Sequence, residues 1–237
     1  MTSINKSEQK LFAVFGNPII HSLSPNIFYY LFEQYKINAD YLRITTETKE
    51  DILKTASFLK LDGFNITSPF KQSLLELLDS MDKPSQSIGA VNTVMVKNGQ
   101  FHGYNTDYLG VINTLKLHRI KVENARGAIL GAGGAARAAA YGLLQSKASH
   151  VTLLNRTEER ARTAAQKLGC SHAPLSKAKE ILNSSQIVIS CLPSIPGDIK
   201  LDDLGDRCTV MDANYRNPSL FKDSTGKGCF YIDGREW

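Results

Sequence analysis

A short glycine-rich segment is the clearest chemical signal in this sequence. It reads Gly131-Ala132-Gly133-Gly134-Ala135-Ala136, and it lies between an apolar run and a helical pattern. In this pattern the first glycine permits a tight turn, the second lets the backbone approach a pyrophosphate, and the final small residue keeps the helix close to the strand. The free N–H groups at the start of the helix then attract the phosphates. We therefore predict a dinucleotide site, with a turn built only for packing as the simpler alternative.

The next predicted strand ends at Asn155-Arg156-Thr157. A site selective for NAD places Asp or Glu near this point to bind the ribose hydroxyl, whereas a guanidinium suits the 2′-phosphate of NADP. Arg160 follows one helical turn later and can reach the same anion. The spacing favours NADP, while an ordinary exposed cation at Arg156 is the alternative.

Two hydroxyl residues near the N-terminus form a second candidate site. Ser22 and Ser24 precede a helical pattern that begins at Pro25. Hydroxyls at a helix N-terminus can hold a carboxylate. Ser24 can equally be an N-cap before a proline in the first helical turn. The spacing alone leaves both interpretations open.

The elements of the first half alternate between strands and helices. The hairpin signal at Lys97-Asn98-Gly99 joins two of the strands. We predict an α/β fold with a mixed sheet. The expected strands are 11–15, 39–44, 63–67, 91–96 and 100–103, and the expected helices are 25–34, 49–59 and 71–78.

The second half repeats a strand-helix order that requires parallel pairing through crossovers. We predict a doubly wound, Rossmann-type domain over residues 125–237, a substrate-binding domain over 1–107, and a connector helix and linker over 108–124. The expected strands are 126–130, 151–154 and 186–190, and the expected helices are 107–118, 134–145, 158–168 and about 176–182.

The composition bounds the possible functions. The net charge of +5 comes without a polybasic run, so nucleic-acid binding is not expected. No apolar run is long enough for a membrane span, and the polar start of the chain does not resemble a secretory signal. The four cysteines are widely spaced, which argues against a metal site or a disulfide framework and favours the cytoplasm.

Five ordered motifs resemble the shikimate dehydrogenase family. They span nearly the whole chain, and the last of them matches the family's NADP motif. The resemblance implies a substrate domain followed by an NADP domain. The motifs are Gly16-Asn17-Pro18-Ile19-Ile20-His21-Ser22-Leu23-Ser24-Pro25, Asn65-Ile66-Thr67-Ser68-Pro69-Phe70-Lys71, Gly89-Ala90-Val91-Asn92-Thr93, Gly103-Tyr104-Asn105-Thr106-Asp107 and Asn155-Arg156-Thr157.

The resemblance also implies an activity and a set of roles. The expected reaction is the reversible reduction of 3-dehydroshikimate with NADPH, in which Lys71 and Asp107 are catalytic. A ketone gains negative charge on its oxygen during hydride transfer, and a nearby ammonium can stabilise this charge. Without the resemblance, Lys71 would be a surface lysine at a helix end and Asp107 an N-cap. The substrate residues are Ser22, Ser24, Thr67, Asn92 and Tyr215, and the cofactor residues are Gly131, Ala132, Gly133, Gly134, Ala135, Asn155, Arg156, Thr157, Arg160 and Cys191.

The sequence departs from the family pattern at two places. The motif around Tyr215 has its proline displaced to Pro218, and the sequence ends at Trp237, before the family's substrate-binding Gln and packing helix. The expectation is therefore a fragment or one part of a fusion, for example with a dehydroquinate dehydratase, as a monomer or homodimer. The alternatives are a quinate dehydrogenase and a ligand-binding homologue that does not catalyse a reaction.

Overall fold

The computed structural model describes residues 9–216 and 220–237. Most of the polar start of the chain and the displaced Pro218 therefore lie outside the described residues. The chain divides into two compact units. Unit 1 comprises Met1–Gln86 and Ala90–Asn105, and unit 2 comprises Ser87–Gly89 and Thr106–Trp237.

Unit 1 is built on a mixed sheet, as predicted. The strand order is β2-β1-β3-β5-β6-β4, in which β1 is parallel to β2 and β3, while β5 is antiparallel to β3 and β6. The strands are β1 Lys10–Gly16, β2 Ala39–Thr45, β3 Gly63–Ile66, β4 Ser80–Met81, β5 Thr93–Lys97 and β6 Gln100–Tyr104. The helices are α1 Ser24–Tyr35, α2 Lys49–Phe58 and α3 Lys83–Ile88, with a 3₁₀ helix at Ser73–Leu77.

Strand β1 shows why this sheet has helices on both faces. Phe15 packs with Ile52 of α2, whereas the adjacent Val14 packs with Phe32 of α1 on the opposite face. A strand covered on both sides has a continuous apolar run rather than an alternating pattern. The hairpin between β5 and β6 turns through Asn98 and Gly99, both at positive φ as a tight hairpin turn requires.

Unit 2 is a doubly wound sheet in which all strands run parallel, as predicted. The order is β12-β11-β10-β7-β8-β9, so the chain reverses direction across the sheet between β7 and β10. The strands are β7 Arg126–Leu130, β8 His150–Asn155, β9 Ser171–Pro174, β10 Ile187–Ser190, β11 Thr209–Asp212 and β12 Phe230–Asp233. The helices are α4 Asp107–Leu117, α5 Gly134–Gln145, α6 Glu158–Leu168 and α7 Ala178–Asn183.

Alternate residues of β7 bury against different helices. Ile129 belongs to the core formed with α4, α5 and α6, while Ala128 and Leu130 belong to the core formed with α7. Helix α5 places four fully buried alanines in its contact face, namely Ala136, Ala138, Ala139 and Ala140. Small side chains let this helix lie close to the sheet.

The helix predicted over 71–78 is wrong in type and extent. The chain forms a 3₁₀ helix from Ser73 to Leu77, and Lys71 precedes it. Lys71 and Gln72, where the first helical residues were expected, lie in a turn instead. No helix among the described residues has the length and apolar character needed to cross a membrane.

Candidate functional site

The glycine turn of unit 2 lies where the predicted dinucleotide site requires it. Strand β7 ends at Leu130, and Gly131 follows with φ +120°, a conformation that L side chains rarely adopt. Gly131 N donates to the Leu154 carbonyl of β8 at 2.7 Å. The turn therefore lies at the carboxyl edge beside the switch between β7 and β10, which is where open α/β sheets bind ligands.

The start of α5 has the properties of a phosphate site. Gly133 is the N-cap, and it caps the helix without a side-chain hydrogen bond. A Cβ built on Gly133 would meet no atom within 4 Å, so the backbone there can be approached closely. The first turn carries no acidic residue that would oppose an anion. Arg137 Nε donates to the Ala132 carbonyl at 3.1 Å and braces the loop.

The cations after β8 are exposed at the same edge. Arg156 and Arg160 are solvent-exposed, and neither forms a salt bridge within the described part of the chain. The adjacent carboxylates are directed elsewhere, because Glu159 pairs with Arg162 and Glu158 lies 3.6 Å from His172. Asn155 Nδ2 donates to the Thr157 carbonyl at 2.9 Å, which shapes the turn.

The ends of β10 and β11 complete this edge of the sheet. Cys191 N donates to the Leu130 carbonyl at 2.9 Å, and its Cβ lies 3.5 Å from the position of a Cβ built on Gly131. Asp212 is fully buried, and its Oδ1 accepts from Asn214 N at 3.1 Å. This turn carries Tyr215 away from β11. Cys191 and Tyr215 thus follow adjacent strands at the edge that holds the glycine turn.

Asp107 is the first residue of α4, and Thr106 takes the N-cap position. The alternative that Asp107 is the N-cap is therefore wrong. A carboxylate in the first turn interacts favourably with the helix dipole. The main-chain carbonyl of Asp107 accepts a hydrogen bond from Trp237 Nε1 at 2.9 Å.

The motifs of unit 1 meet at one edge of its sheet through backbone hydrogen bonds. Asn17 N donates to the Ser68 carbonyl at 3.0 Å, and Val91 N donates to the Lys71 carbonyl at 2.8 Å. Asn92 is held from two sides, since its N–H bonds Tyr104 and its carbonyl accepts from Ile66. Segments distant in sequence therefore converge at this edge.

Thr67 reaches this edge because Gly16 leaves room for it. A Cβ on Gly16 would lie 2.4 Å from Thr67 Cγ2, so any side chain at position 16 would displace Thr67. Thr67 N also donates to the Phe15 carbonyl at 2.9 Å. Lys71 is half-buried and interacts with another group of the protein.

The two serines are arranged differently from the N-cap alternative. Leu23 is the N-cap of α1, and Ser24 is the first helical residue, so the N-cap interpretation of Ser24 is wrong. Ser22 Oγ accepts from Ser24 N at 3.2 Å and donates to Ser24 Oγ at 3.1 Å. Arg43 of β2 donates twice to the Ser22 carbonyl, at 3.0 and 2.7 Å. The hydroxyl pair is thus held as a unit.

Sequence reasoning missed Tyr41 and Asn65 as functional candidates. Tyr41 is buried, its hydroxyl interacts with the Ser24 side chain, and it donates to Asn65 Oδ1 at 2.5 Å. Asn65 Nδ2 in turn donates to Thr93 Oγ1 at 3.0 Å, and Thr93 donates to Asn92 Oδ1 at 3.1 Å. No sequence motif indicates the role of Tyr41, because its partners lie on other elements that are distant in the sequence.

The structure thus distributes the predicted residues over both units. Unit 1 contains the substrate candidates Ser22, Ser24, Thr67 and Asn92 together with Lys71. Asp107 and Tyr215 belong to unit 2. The predicted cofactor residues lie along the carboxyl edge of the unit 2 sheet, namely Gly131, Ala132, Gly133, Gly134, Ala135, Asn155, Arg156, Thr157, Arg160 and Cys191.

The fold and the glycine turn define a two-unit α/β protein of the dinucleotide-binding class. Residues 14–94 match the family model described as the shikimate dehydrogenase substrate binding domain, and residues 114–197 match that of shikimate / quinate 5-dehydrogenase. A shikimate dehydrogenase (NADP(+)) from Nitrosopumilus maritimus is 32% identical, over 96% of this chain and 88% of that protein. The chain belongs to the shikimate dehydrogenase family.

Solved structures agree with this membership. The crystal structure of shikimate dehydrogenase from Aquifex aeolicus has a TM-score of 0.88 and 33% identity, and the match covers 96% of this chain and 87% of that one. The shikimate 5-dehydrogenase from Thermus thermophilus, in complex with NADP(H) and shikimate, has a TM-score of 0.85 and 29% identity, covering 96% and 88%.

Proposed function

We propose that this chain catalyses the NADP-dependent interconversion of 3-dehydroshikimate and shikimate, a step of aromatic amino acid biosynthesis. The observation that carries the proposal is the convergence of the four unit 1 motif segments at one sheet edge. These segments carry hydroxyl, amide and ammonium side chains, and their main chains are joined by hydrogen bonds. These groups match a small polyhydroxylated carboxylate that carries one reducible carbonyl.

The substrate roles are assigned by chemistry. Ser22 and Ser24 present paired hydroxyls, which can donate to the substrate carboxylate. Thr67 and Asn92 follow on the same edge and suit the ring hydroxyls. Tyr215 is assigned to the substrate by its place after β11 in unit 2.

Lys71 and Asp107 are proposed as the catalytic residues. When bound, NADPH supplies the hydride that reduces the carbonyl carbon. The Lys71 ammonium stabilises the negative charge on the carbonyl oxygen and donates the proton that makes it a hydroxyl. Asp107 is assigned to accept a hydrogen bond from that hydroxyl, which a carboxylate can do.

The cofactor assignment follows from the fit of unit 2. The N–H groups at the start of α5 can hold the pyrophosphate at the glycine turn, where Gly133 leaves the backbone accessible. Arg156 and Arg160 offer two guanidinium groups to a 2′-phosphate, and Asn155 adds no repulsive charge. Cys191 lies against the glycine turn at the end of β10 and is assigned to the cofactor through its backbone.

The test is the initial rate of NADPH oxidation by the purified chain with 3-dehydroshikimate, followed by its absorbance. Turnover that requires both compounds supports the proposal. Binding of shikimate without turnover, in an assay where a known shikimate dehydrogenase is active, would instead identify a ligand-binding homologue. Oxidation of quinate faster than shikimate at equal NADP concentration would identify a quinate dehydrogenase, which the description of the second family model also includes.

We also propose a cytoplasmic location. The four cysteines are widely spaced in the sequence, without the paired spacing of a metal site or a disulfide framework. This usage is typical of proteins from a reducing compartment. Fractionation of cells that express the native chain, with immunodetection in the soluble and secreted fractions, tests this location.

A further inference from the structure

A series of interacting polar side chains, here called the polar chain, crosses unit 1 and connects the proposed carboxylate and hydroxyl sites. Ser22 donates to Ser24 at 3.1 Å, the Ser24 side chain interacts with the Tyr41 hydroxyl, and Tyr41 donates to Asn65 at 2.5 Å. The polar chain continues from Asn65 to Thr93 at 3.0 Å and ends at Asn92 Oδ1, 3.1 Å from Thr93 Oγ1. The polar chain joins residues of α1, β2, β3 and β5.

Tyr41 occupies the centre of the polar chain. Its hydroxyl connects the serine pair on one side to the amide groups on the other. We propose that Tyr41 is a positioning residue for the substrate, which fixes the Ser24 hydroxyl and the Asn65 amide. This inference rests on the proposed function, because it concerns the same substrate residues.

The surroundings of Tyr41 hold its phenol in one place. Tyr41 is 3% exposed, and its ring is stacked on Phe28 with centroids 4.4 Å apart and planes at 17°. Phe32 and Val14 belong to the same apolar cluster. The ring is thus fixed by packing, while its hydroxyl points into the polar chain.

Burial also fixes the protonation state of the phenol. Desolvation raises the pKa of Tyr41 well above its ordinary value, in spite of the hydrogen bond with Ser24, which acts in the opposite direction. The hydroxyl therefore remains protonated and can donate to Asn65 Oδ1. Because the Asn65 Oδ1 atom is occupied by this bond, its Nδ2 group is directed to Thr93.

Thr93, near the far end of the polar chain, determines the orientation of the Asn92 side chain. An Asn side chain can place its oxygen or its nitrogen at a given point, and its partners select between the two. Thr93 Oγ1 accepts from Asn65 Nδ2 and therefore donates to Asn92 Oδ1. The polar chain thus determines which end of the Asn92 amide, oxygen or nitrogen, is left to meet a substrate hydroxyl.

The test compares Tyr41→Phe with the wild-type chain. This substitution removes the hydroxyl and keeps the stacked ring. We expect the KM for shikimate to rise about three- to tenfold, the range that one hydrogen bond contributes, with kcat reduced by less and the KM for NADP unchanged. An unchanged KM for shikimate would overturn the inference.

Tyr29→Phe is the matched control. The Tyr29 hydroxyl contacts the backbone of Tyr41, accepting from its N–H at 3.3 Å and donating to its carbonyl at 3.4 Å, but it is not part of the polar chain. A general loosening of this region would raise the KM for shikimate in both variants, and that outcome would contradict a specific role for the phenol. We expect the rise in Tyr41→Phe alone.

A double-mutant cycle with Ser24→Ala tests whether Tyr41 acts through Ser24. If it does, Tyr41→Phe raises the KM for shikimate less in the Ser24→Ala background than in the wild type. Full additivity would overturn the coupling to Ser24. Failure of the wild-type chain to turn over shikimate would contradict the proposed function instead, so the two failures are distinguishable.

Discussion

The indole N–H of Trp237 donates to the main-chain carbonyl of Asp107 at 2.9 Å, which joins positions 130 residues apart in the sequence. A second bond lies beside it, from Thr114 Oγ1 to the Glu236 carbonyl at 2.5 Å. Trp237 also packs against Gly110, where an added Cβ would lie 2.7 Å from its ring. The first turns of α4, which present Asp107, are therefore held by the last residues of the sequence.

Trp237→Phe is expected to lower the free energy of unfolding by about 1–2 kcal/mol. The substitution removes one hydrogen bond and part of a partly buried ring. Urea denaturation followed by circular dichroism measures the change, since this chain has a single tryptophan and the variant has none. An unchanged midpoint with an unchanged slope would show that the contact contributes little to stability.

Lys71→Ala is expected to lower kcat by about 10²–10⁴-fold, the usual contribution of a positioned proton donor. Shikimate should still bind, because the serine pair and Asn92 remain. Steady-state kinetics and calorimetric titration with shikimate measure the two effects. Lys54→Ala is the control, since the Lys54 side chain is 78% exposed on α2. A loss of affinity with normal kcat would assign Lys71 to binding alone.

Arg156→Asp is expected to remove most of a preference for NADPH over NADH. The change removes a charge-assisted hydrogen bond to the 2′-phosphate and adds repulsion, so kcat/KM for NADPH should fall by about 10–100-fold or more. Arg162→Asp is the control, because Arg162 pairs with Glu159 on the same helix. Equal kcat/KM for the two cofactors in the wild-type chain would contradict the assignment.

Two thiols, the partly buried Cys170 and the buried Cys208, are expected to resist alkylation. Burial raises the pKa of Cys170 to about 11 and is the main cause that raises the pKa of Cys208 to about 12. At pH 8 the reactive thiolate is then about one part in 10³ for Cys170 and one in 10⁴ for Cys208, and both fractions increase as the pH rises. Iodoacetamide labelling analysed by mass spectrometry tests this.

The urea-unfolded chain provides the control, in which all four cysteines should react. Labelling of Cys208 in the folded chain at pH 8 as fast as in urea would contradict the burial of this thiol. A labelling rate that does not increase between pH 8 and pH 10 would contradict the raised pKa.

The long elements of the fold were predictable because their patterns are local. The glycine turn at Gly131, the start of α6 at Glu158 and the hairpin turn at Asn98 each depend on a few adjacent residues. Strand β9 was missed because Ser171–Pro174 is a four-residue edge strand that ends in proline, a composition typical of a turn. Strand β4 has only two residues, too few for any periodicity.

The features of the candidate site that could not be predicted from the sequence depend on contacts between residues that are distant along the chain. The patterns identified Ser24 as a site residue and Asn65 only as part of a motif, and nothing local shows that Tyr41 lies between them. The N-cap interpretation of Ser24 failed for a related reason. Arg43 and Tyr41, on a later strand, hold the serine segment in a conformation in which Leu23 takes the cap position.

The backbone bonds among the unit 1 motifs have a consequence for the entropy of binding. The amide protons of Asn17, Thr67, Val91 and Asn92 each donate to a carbonyl of another segment, without a ligand. These protons should exchange slowly with deuterium in the ligand-free chain. The loops proposed to meet the substrate at this edge are thus held by main-chain bonds before binding. Association then has little conformational freedom to remove there, and we expect the hydrogen bonds formed with the substrate to translate more fully into affinity.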